Sequence, residues 1–389
     1  MDAKLLMMAG AAPFEMYPYD AVNSCRFNAG DSARLSKTPS TGTEETYTIS
    51  FWWKNVENSA DRYIYAASDG SGTAAILITA GQALDFYQFV GGGYSWHVAT
   101  NRVFLDYSAW YHVCIAFDST QGTEANRIKI YINGVQETSF STATYPSLNY
   151  ASSFINDNSP HTIMSRWTGS AFTDYMNGYL SQFVFIDATA YAASDFGEDK
   201  NGIWVPKSVS GLTFGANGFY LDFADSSALG NDVSGNNNDY TSSGLAAADQ
   251  MTDTPSGNNF CTWNPLKFRD PAKLAVLSEG NLAALFDNAS YGEYSFGTMS
   301  VPAEGKWYWE FKCTAVGGEA NYGIVGANVP EGNPDEARSY RNNGQKYTNF
   351  SSGASYGDTY TTNDIIGVAV DMDGGNLYFY KNNTIQASG

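Results

Sequence analysis

The sequence predicts an all-β protein built from antiparallel sandwiches. Three observations lead to this prediction: aromatic residues form 15% of the chain, glycine occurs 38 times, and short runs of β-forming residues alternate with clusters of Gly, Asn, Asp and Ser. Aromatic and β-branched side chains fit the pleated surface of a strand, whereas Gly, Asn and Asp supply turns. The length of 389 residues predicts two or three domains.

The first series of predicted strands extends from residue 22 to residue 187. Its clearest members are "YTISFWWK" (47–54), "AAILITA" (74–80), "ALDFYQFV" (83–90), "WYHVCIAFD" (110–118), "RIKIYI" (127–132), "HTIMSRW" (161–167) and "GYLSQFVFID" (178–187). In "RIKIYI" every second residue is isoleucine, and Asn133-Gly134 follows directly. This dipeptide predicts a tight hairpin, because a type I′ turn requires positive φ at both central positions. Strands at this spacing without helical periods indicate a sandwich.

Residues 188–265 have a different composition. "TAYAASDFGE" is consistent with one short helical turn, and one strand is predicted at 219–223 before a run rich in Asn, Gly, Ser and Asp. We therefore predict four parts. They are an N-terminal arm (1–21), a first sandwich (22–196), a connector with one strand that pairs onto a neighbouring sheet (197–266), and a second sandwich (267–389).

The second strand series includes "GKWYWEFKCTAV", "NYGIVGANV", "DIIGVAVDMD" and "NLYFYKNN". The stretch "DMDGGN" between the last two resembles the start of a calcium-binding EF-hand loop. Such a loop requires an oxygen ligand at position 5, Gly at position 6 and Glu at position 12. Counted from Asp371, these positions hold Gly375, Asn376 and Asn382. We therefore predict a hairpin turn here.

Two family resemblances rest on these segments. The stretch from "NSCRFNAGDSARL" to "MNGYLSQFVFID", with "WYHV" and "YING" between, resembles laminin-G/concanavalin A-like jelly-roll domains. "GKWYWEFKC", "YGIVG" and the hairpin from Gly367 to Asn382 resemble a SPRY domain. The resemblances imply a jelly-roll sandwich followed by a SPRY-like sandwich that is incomplete at the C-terminus, because strands expected after the hairpin are missing.

The whole arrangement is similar to virion proteins of tailed bacteriophages, notably tail-associated or fibre-like ones. That resemblance implies a structural or host-recognition component located in a virion tail or surface appendage. It also implies a homo-oligomer, with a trimer favoured, whose partners are other virion subunits and a host-surface glycan or protein.

Charge and hydropathy exclude two other classes of partner. The formal net charge is -19 and the sequence pI is about 4.4. A phosphate backbone or an anionic membrane would be repelled by such a surface, so nucleic-acid binding is not expected. No segment approaches the ~20 apolar residues of a membrane span, so membrane insertion is not expected either.

The sequence also argues against an enzyme. Retaining glycoside hydrolysis requires two carboxyl groups about 5 Å apart, which related enzymes carry on one strand as "ExDxxE". This pattern does not occur, and Glu310 and Asp187 are isolated acids within their strands. "GASYG" around Ser355 matches G-x-S-x-G, but turn-forming residues follow it where a nucleophile elbow requires a helix. A glycan-active enzyme remains the less favoured alternative.

Calcium is the one cation that the sequence suggests, and no cofactor is required. Laminin-G-like domains often hold Ca²⁺ at the sandwich rim, and the resemblance points to "GNDVSGNNND". The candidate ligands are Asp232, Asn236, Asn238 and Asp239. Carboxylate and amide oxygens suit Ca²⁺. The alternative is an ordinary tight loop, because Asn, Gly and Asp also form Asx-turns.

Exposed aromatic residues in loops are the best candidates for ligand binding, since binding residues concentrate on loops that a rigid scaffold carries. "VGGGYSWHVATN" places Tyr94, Trp96 and His97 behind three glycines, although Trp96 is also consistent with a strand residue in the core. "DEARSYRNNGQKY" in the SPRY-like part adds a second set, for which a solvated loop is the alternative. That set is Arg338, Tyr340 and Arg341.

The sequence therefore favours a non-enzymatic virion component that recognises a host surface through rim loops of its sandwiches. Several copies in one assembly would multiply the affinity of each site. The alternative from a different class is a purely structural tail or capsid decoration protein that packs between subunits.

Overall fold

A computed structural model describes residues 17–57, 60–268, 275–286, 295–316, 318–326, 337–349 and 352–387. The chain divides into two compact units. The first contains residues 1–265 and 277–284, and the second contains residues 266–276 and 285–389. The predicted all-β class is confirmed, with a jelly-roll sandwich in the first unit and a second β-sandwich after it. Among the described residues, no helix has the length and apolar character needed to cross a membrane.

The described residues before 262 form twenty strands. They are β1 (Ser24–Phe27), β2 (Arg34–Lys37), β3 (Thr46–Asn55), β4 (Arg62–Ser68), β5 (Gly72–Ile78), β6 (Ala83–Val90), β7 (Gly93–Val103), β8 (Trp110–Asp118), β9 (Ile128–Ile132), β10 (Val135–Gln136), β11 (Phe140–Thr144), β12 (His161–Ile163), β13 (Arg166–Trp167), β14 (Phe172–Thr173), β15 (Gly178–Asp187), β16 (Gly197–Lys200), β17 (Ile203–Pro206), β18 (Phe219–Leu221), β19 (Thr241–Ser243) and β20 (Gln250–Met251). The described part of this region also contains four single 3₁₀ turns, at Ala29–Asp31, Glu124–Asn126, Ala193–Asp195 and Ala247–Asp249.

The first unit is a sandwich of two antiparallel sheets. Sheet 1 has the order β10-β9-β8-β3-β15-β1-β20, and β18 also pairs with β15. Sheet 2 has the order β11-β7-β6-β5-β4-β12-β2-β19. The predicted Asn133-Gly134 hairpin is confirmed between β9 and β10, and both turn residues have positive φ, at 48° and 77°.

The core lies between sheets 1 and 2 and is mostly aromatic and aliphatic. Phe51 of β3, Phe117 of β8 and Phe86 of β6 are fully buried within it. Trp96 of β7 connects the two layers, because its ring centroid lies 4.4 Å from that of Phe86 and 5.7 Å from that of Phe117. Aromatic rings of this size give a large hydrophobic stabilisation when they are buried.

The outer face of sheet 1 is covered by later parts of the chain. A covering segment (residues 188–214) packs Phe196 and Val209 against Cys114 and Val184 of the sheet. Beside it, a strap (residues 250–262) lies near Trp110 and Tyr179. Strands β3 and β15 are consequently buried on both faces along most of their length.

Much of the predicted connector belongs to the first sandwich. Strand β18 pairs with β15, and β20 pairs with β1, so both extend sheet 1. Strand β19 pairs with β2 at the edge of sheet 2. The structure thus contains three strands of this region in the two sheets, where the sequence predicted one.

The later strands are shorter and more exposed. Strands β21 (Trp263–Phe268), β22 (Val276–Ser278) and β23 (Ala283–Leu285) lie where the chain alternates between the units. The second unit contains β24 (Ser295–Gly297), β25 (Lys306–Lys312), β26 (Asn321–Ile324), β27 (Arg338–Arg341), β28 (Gln345–Thr348), β29 (Ser352–Ser355), β30 (Ile365–Asp371), β31 (Asn376–Lys381) and β32 (Thr384–Ile385).

Two four-stranded sheets form the second sandwich, with orders β25-β30-β31-β32 and β26-β27-β28-β29. Its core contains Tyr340 of one sheet and Val368 and Phe379 of the other. The predicted hairpin at "DMDGGN" is confirmed, since β30 pairs with β31 up to the couple Asp371 and Asn376. The Asp371 carboxylate accepts a hydrogen bond from Gly374 N at 2.8 Å, which makes it part of the turn.

Candidate functional site

The hairpin of β6 and β7 presents an aromatic cluster on the outer face of sheet 2. We use the term aromatic cluster for the side chains that share this face around Tyr94. They are Tyr63, Asp85, Tyr87, Phe89, Tyr94 and His97. Successive strand residues point to opposite faces, so Asp85, Tyr87 and Phe89 point outward while Leu84, Phe86 and Gln88 enter the core.

A β-bulge in β7 decides which residues face outward. Tyr87 pairs with His97 and Gln88 with Trp96, but the next couple is Phe89 with Tyr94, so Ser95 is an extra residue. A bulge of this kind shifts the alternation of side chains by one position. As a result Tyr94 and His97 lie on the outer face together, whereas Trp96 between them points inward.

Tyr94 is the exposed top of the aromatic cluster, with 54% of its surface accessible. Its ring stacks on the imidazole of His97, with centroids 4.4 Å apart and planes 21° apart. The rings of Tyr87 and Phe89 contact it edge-on, at centroid distances of 5.4 and 5.2 Å. Three neighbouring rings therefore fix the orientation of Tyr94 while one of its faces remains open to solvent.

The aromatic cluster also contains polar groups. His97 Nε2 lies 3.0 Å from Asp85 Oδ2, and the hydroxyls of Tyr87 and Tyr63 are hydrogen-bonded at 3.0 Å. Burial raises the pKa of both tyrosines, so their hydroxyls stay protonated at neutral pH. The cluster thus combines an open aromatic surface with hydroxyl, imidazole and carboxylate groups that form hydrogen bonds.

A cation borders the cluster but is already paired. The guanidinium of Arg166 lies 4.9 Å from the centroid of the Tyr63 ring. It also forms a 2.8 Å ion pair with Asp174 Oδ2. The net charge on this side of the face is therefore close to neutral, apart from the Asp85 carboxylate.

The structure corrects the prediction for Trp96. Its side chain is 0% exposed and lies in the core of the sandwich, against Phe86 and Phe117. It cannot contact an external ligand. The physical reason is the bulge at Ser95, which places Trp96 and its two predicted partners on opposite faces of the sheet.

The second predicted set also differs from expectation. Residues 338–341 form strand β27, paired on both sides with β26 and β28, and not a rim loop. Tyr340 is fully buried, and its hydroxyl donates a hydrogen bond to the backbone oxygen of Asp358. It is therefore a core residue of the second sandwich.

The two arginines of this set have intramolecular partners. Arg341 forms a 2.7 Å ion pair with Glu319 Oε1, and its guanidinium lies 3.8 Å from the centroid of the Tyr347 ring. Arg338 is exposed and donates a 2.9 Å hydrogen bond to Asn349 Oδ1. Only Arg338 of the three residues is open to a partner on the surface.

The predicted calcium ligands are brought together in one loop. Asp232 accepts hydrogen bonds from four donors, which are the backbone N–H groups of Tyr220, Ser234 and Asn238 and the Ser234 hydroxyl. Asp239 Oδ1 accepts a hydrogen bond from Asp232 N.

The two asparagines of this loop use their amide N–H groups. Asn236 donates to the backbone oxygens of Gly215 and Gly218, and Asn238 donates to those of Ala216 and Gly218. In the described part of the chain, no group of three or more His, Cys, Asp or Glu residues is arranged to hold a metal ion. Calcium binding through amide and backbone oxygens stays a prediction.

One buried serine and histidine pair resembles part of a catalytic triad. Ser50 Oγ and His112 Nε2 are 2.9 Å apart, on the outer face of sheet 1. Trp204 Nε1 donates to His112 Nδ1 at 3.0 Å, so Nδ1 has no hydrogen and Nε2 carries it. His112 therefore donates to Ser50 and cannot accept its proton. Burial also lowers the pKa of His112 to about 3, which keeps the ring neutral.

Sequence reasoning missed Tyr63, Asp85, Tyr87 and Phe89. The strand "ALDFYQFV" alternates, and its hairpin tip is marked by the glycines that follow. Pairing the two strands from that tip gives Phe89 beside Tyr94, but it gives Tyr87 beside Trp96, because only the bulge at Ser95 brings His97 to Tyr87. In the second unit, "RNNGQ" carries the signal of a tight turn, with Gly344 at a φ of 82°, and would have predicted strands on both sides of it.

Comparison with known proteins identifies two domains. A family model described as the concanavalin A-like lectin/glucanases superfamily matches residues 27–193. The SPRY domain model matches residues 306–387. The aromatic cluster lies inside the first match. No curated protein matches the chain.

Solved structures with similarity to this chain include three from different organisms. The heptameric SAP-like pentraxin of Limulus polyphemus shows 15% identity and a TM-score of 0.34 over 45% of this chain and 80% of its own. Mouse laminin alpha1 domains LG4-5 show 10% identity and a TM-score of 0.34 over 99% and 82%. The Ruminococcus gnavus IT-sialidase CBM40, solved with alpha2,3 sialyllactose, shows 11% identity and a TM-score of 0.26 over 37% and 87%. The two family models, and not these structures, identify a concanavalin A-like domain followed by a SPRY domain.

Proposed function

We propose that this chain is a non-enzymatic recognition protein whose first sandwich binds a surface glycan through the aromatic cluster. The observation that carries the proposal is the exposed Tyr94 ring, which neighbouring rings hold in place above Asp85 and His97. Pyranose sugars present an apolar face that stacks on such a ring, and hydroxyls that bind carboxylate and imidazole groups. The match to a lectin-containing superfamily supports this class of ligand.

The charge of the protein favours a neutral glycan over an anionic one. The chain carries a net charge of -19, so a sialylated or sulfated ligand would approach against a repulsive field. The cation that borders the cluster, Arg166, is already paired with Asp174. A neutral hexose or N-acetylhexosamine meets neither obstacle.

Binding and hydrolysis differ in the number of carboxyl groups that they require. Glycoside hydrolysis uses two carboxyl groups on either side of the scissile bond. The six side chains of the aromatic cluster include one carboxyl group, that of Asp85. The cluster therefore supports binding, and a purified protein that releases sugar from a bound glycan would contradict the proposal.

The proposal is tested with a glycan array followed by titration calorimetry on the best ligand. We expect Tyr94→Ala to weaken binding roughly tenfold, since one aromatic contact contributes about 0.5–1.5 kcal/mol beyond its burial. The matched control is Tyr308→Ala. Tyr308 is a tyrosine with 52% exposure in the second unit. This control should bind like the unmodified chain.

Two results would overturn the proposed function. One is the absence of glycan binding by the folded chain on an array that includes neutral hexoses. The other is binding that Tyr94→Ala and Tyr308→Ala leave equally strong, because the ligand would then contact another surface.

The biological setting remains a proposal of its own. We propose that this recognition serves a virion, in a tail or surface appendage assembled from several copies of the chain, and this rests on the sequence resemblance alone. Electron microscopy of purified particles, with a label on the chain, would test it. A purely structural role is favoured if the aromatic cluster is buried between subunits there.

A further inference from the structure

The outer face of sheet 1 contains a fully buried lysine. Lys54 lies near the end of β3, its side chain is 0% exposed, and its Nζ lies 2.8 Å from Asp253 Oδ2. The Asp253 side chain is 1% exposed and belongs to the strap. A buried charge pair is weak evidence of a net gain in folding stability, because removing both ions from water costs several kcal/mol per ion. Its presence therefore requires a reason beyond stability.

The surroundings of this pair are aromatic and closely packed. Trp110 Nε1 donates to Asp253 Oδ1 at 2.9 Å, which leaves Oδ2 directed at the lysine. The ring of Tyr179 lies 6.0 Å from Lys54 Nζ. Ser24 Oγ donates to the backbone oxygen of Asp253 at 2.6 Å and fixes the strap at this point. The amine and the carboxylate are thus held together in a buried, closely packed region.

An asparagine side chain completes the arrangement. Asn259 Oδ1 lies 2.9 Å from Lys54 Nζ, so the amide carbon Cγ is only one bond further away. The amide nitrogen of Asn259 points outward and donates to Ser108 O at 2.7 Å, at the exposed side. The carbonyl therefore faces the buried amine, while the nitrogen that would leave faces solvent.

Burial favours the nucleophilic form of the lysine. Desolvation lowers the pKa of Lys54 below its usual range, although the Asp253 carboxylate acts in the opposite direction. A neutral amine is the form that attacks a carbonyl, and desolvated lysines are activated in this way. Transfer of one proton from Lys54 to Asp253 within the pair produces that form without any other group.

We propose that Lys54 and Asn259 form an intramolecular isopeptide bond, with Asp253 as the proton acceptor. The neutral amine of Lys54 attacks Asn259 Cγ, and a new C–N bond forms. Asp253 accepts one proton from the Lys54 ammonium as a general base, which produces the attacking amine. After the attack, Nδ2 of Asn259 takes up a proton from solvent on its exposed side and the former Nζ loses one to solvent, so that the protons balance. The Cγ–Nδ2 bond breaks and one molecule of ammonia leaves. No oxidant, metal or further reactant is required.

The bond would join a central strand of sheet 1 to the strap that covers it. β3 pairs on both sides within the sheet, with β8 and β15. A covalent link from this strand to the strap holds the covered face closed even when non-covalent contacts are pulled or heated. Such a link does not depend on glycan binding at the aromatic cluster, which lies on the other sheet.

Mass spectrometry of the purified full chain tests this proposal. We expect the intact mass to be lower than the sequence mass by one ammonia, and a protease digest to contain one branched peptide that joins Lys54 to Asn259. A succinimide at an Asn-Gly pair such as Asn133-Gly134 loses the same ammonia. Tandem fragmentation of the branched peptide is therefore the deciding measurement.

Variants of neighbouring asparagines provide the control. Asn259 is exposed, so Asn259→Ala should fold, as checked by circular dichroism, and should keep the full mass. Asn258→Ala, one residue away, should still lose ammonia. If every molecule of the unmodified chain still has the mass calculated from its sequence after prolonged incubation, the proposal is overturned. Lys54 is then an ammonium held by an ion pair. Loss of ammonia at another position, without the branched peptide, overturns it as well.

Discussion

The two outer faces of the first sandwich carry similar side chains, but these are buried on one face and partly exposed on the other. On sheet 1, His112 contacts Trp52 and Trp204 under the covering segment and is fully buried. On sheet 2, His97 stacks under Tyr94, which is open to solvent. Both histidines lie among aromatic rings on an outer strand face. The difference is whether a later part of the chain covers the rings.

This difference is the reason for assigning the proposed recognition to the open face. On the covered face, the polar atoms of His112 are satisfied within the protein, by Ser50 and Trp204. On the open face, more than half of the Tyr94 surface is exposed, so one side of its ring is available to a ligand. A ring in the covered face should therefore contribute to stability, and a ring in the open face to recognition.

The largest expected effect is the loss of a ring from the covered face. Trp52→Ala should lower the free energy of unfolding by about 3–5 kcal/mol, because a buried ring is lost and a cavity remains. Trp52 is almost fully buried against Trp110 and Tyr179. Urea denaturation followed by circular dichroism measures the change, with Trp307→Ala as control, since Trp307 is 41% exposed in the second unit. A loss below ~1 kcal/mol for Trp52→Ala would mean that the covering segment does not seal this face.

Lowering the pH should reduce the free energy of unfolding by an intermediate amount. Burial lowers the pKa of His112 to about 3 and that of His161 to about 4, while an unfolded histidine has a pKa near 6.5. At pH values between the folded and the unfolded pKa, the unfolded chain binds more protons than the folded chain. The free energy of unfolding is therefore at its full value above about pH 6.5 and falls as the pH decreases. Each histidine should cost about 2 kcal/mol between pH 6.5 and pH 5, at ~1.4 kcal/mol per pH unit.

The free energy of unfolding measured at several pH values between 7 and 5 checks this expectation. His112→Gln should remove about half of the loss, since His161 keeps its own contribution. Carboxylates with a lowered pKa, such as Asp118, titrate below this window and do not interfere. An unchanged stability from pH 7 to pH 5 would show that both His112 and His161 accept a proton in the folded state.

The smallest effect is expected on the open face. Tyr94→Ala should change the free energy of unfolding by about 0.5 kcal/mol or less, as is usual for exposed positions. The same urea titration measures it, and the contrast with Trp52→Ala defines the two faces. A destabilisation of ~2 kcal/mol or more would instead make Tyr94 a part of the fold, and its role in binding would then require separate proof.

The sequence predicted those features that depend on neighbouring residues. The hairpins at Asn133-Gly134 and at "DMDGGN" were predicted because their turns require Gly or Asn at fixed positions. The covered face is also visible in the local sequence, since "YTISFWWK" is nearly continuous in apolar residues while "ALDFYQFV" alternates. A strand that is buried on both faces reads as a continuous apolar run.

Features that depend on register or on distant segments could not be predicted. The orientation of Trp96 depends on the extra residue Ser95, which no local pattern marks. The burial of Tyr340 depends on a second sheet that packs on β27. The buried contact of Lys54 depends on Asp253, which follows it by almost two hundred residues, and a single sequence does not show that these two positions meet.

The strand order of the first sandwich also determines when it can fold during synthesis. β1 pairs with β20, which joins Cys25 to Gln250, and β2 pairs with β19, which joins Leu35 to Ser242. The first strands of this sandwich to leave the ribosome therefore pair with strands that are among the last of the sandwich to leave it. Contacts this distant along the chain form slowly, and incomplete sheet edges invite association between chains. A cell that produces this protein must therefore keep a long, aromatic nascent chain from aggregating until about residue 262 has emerged.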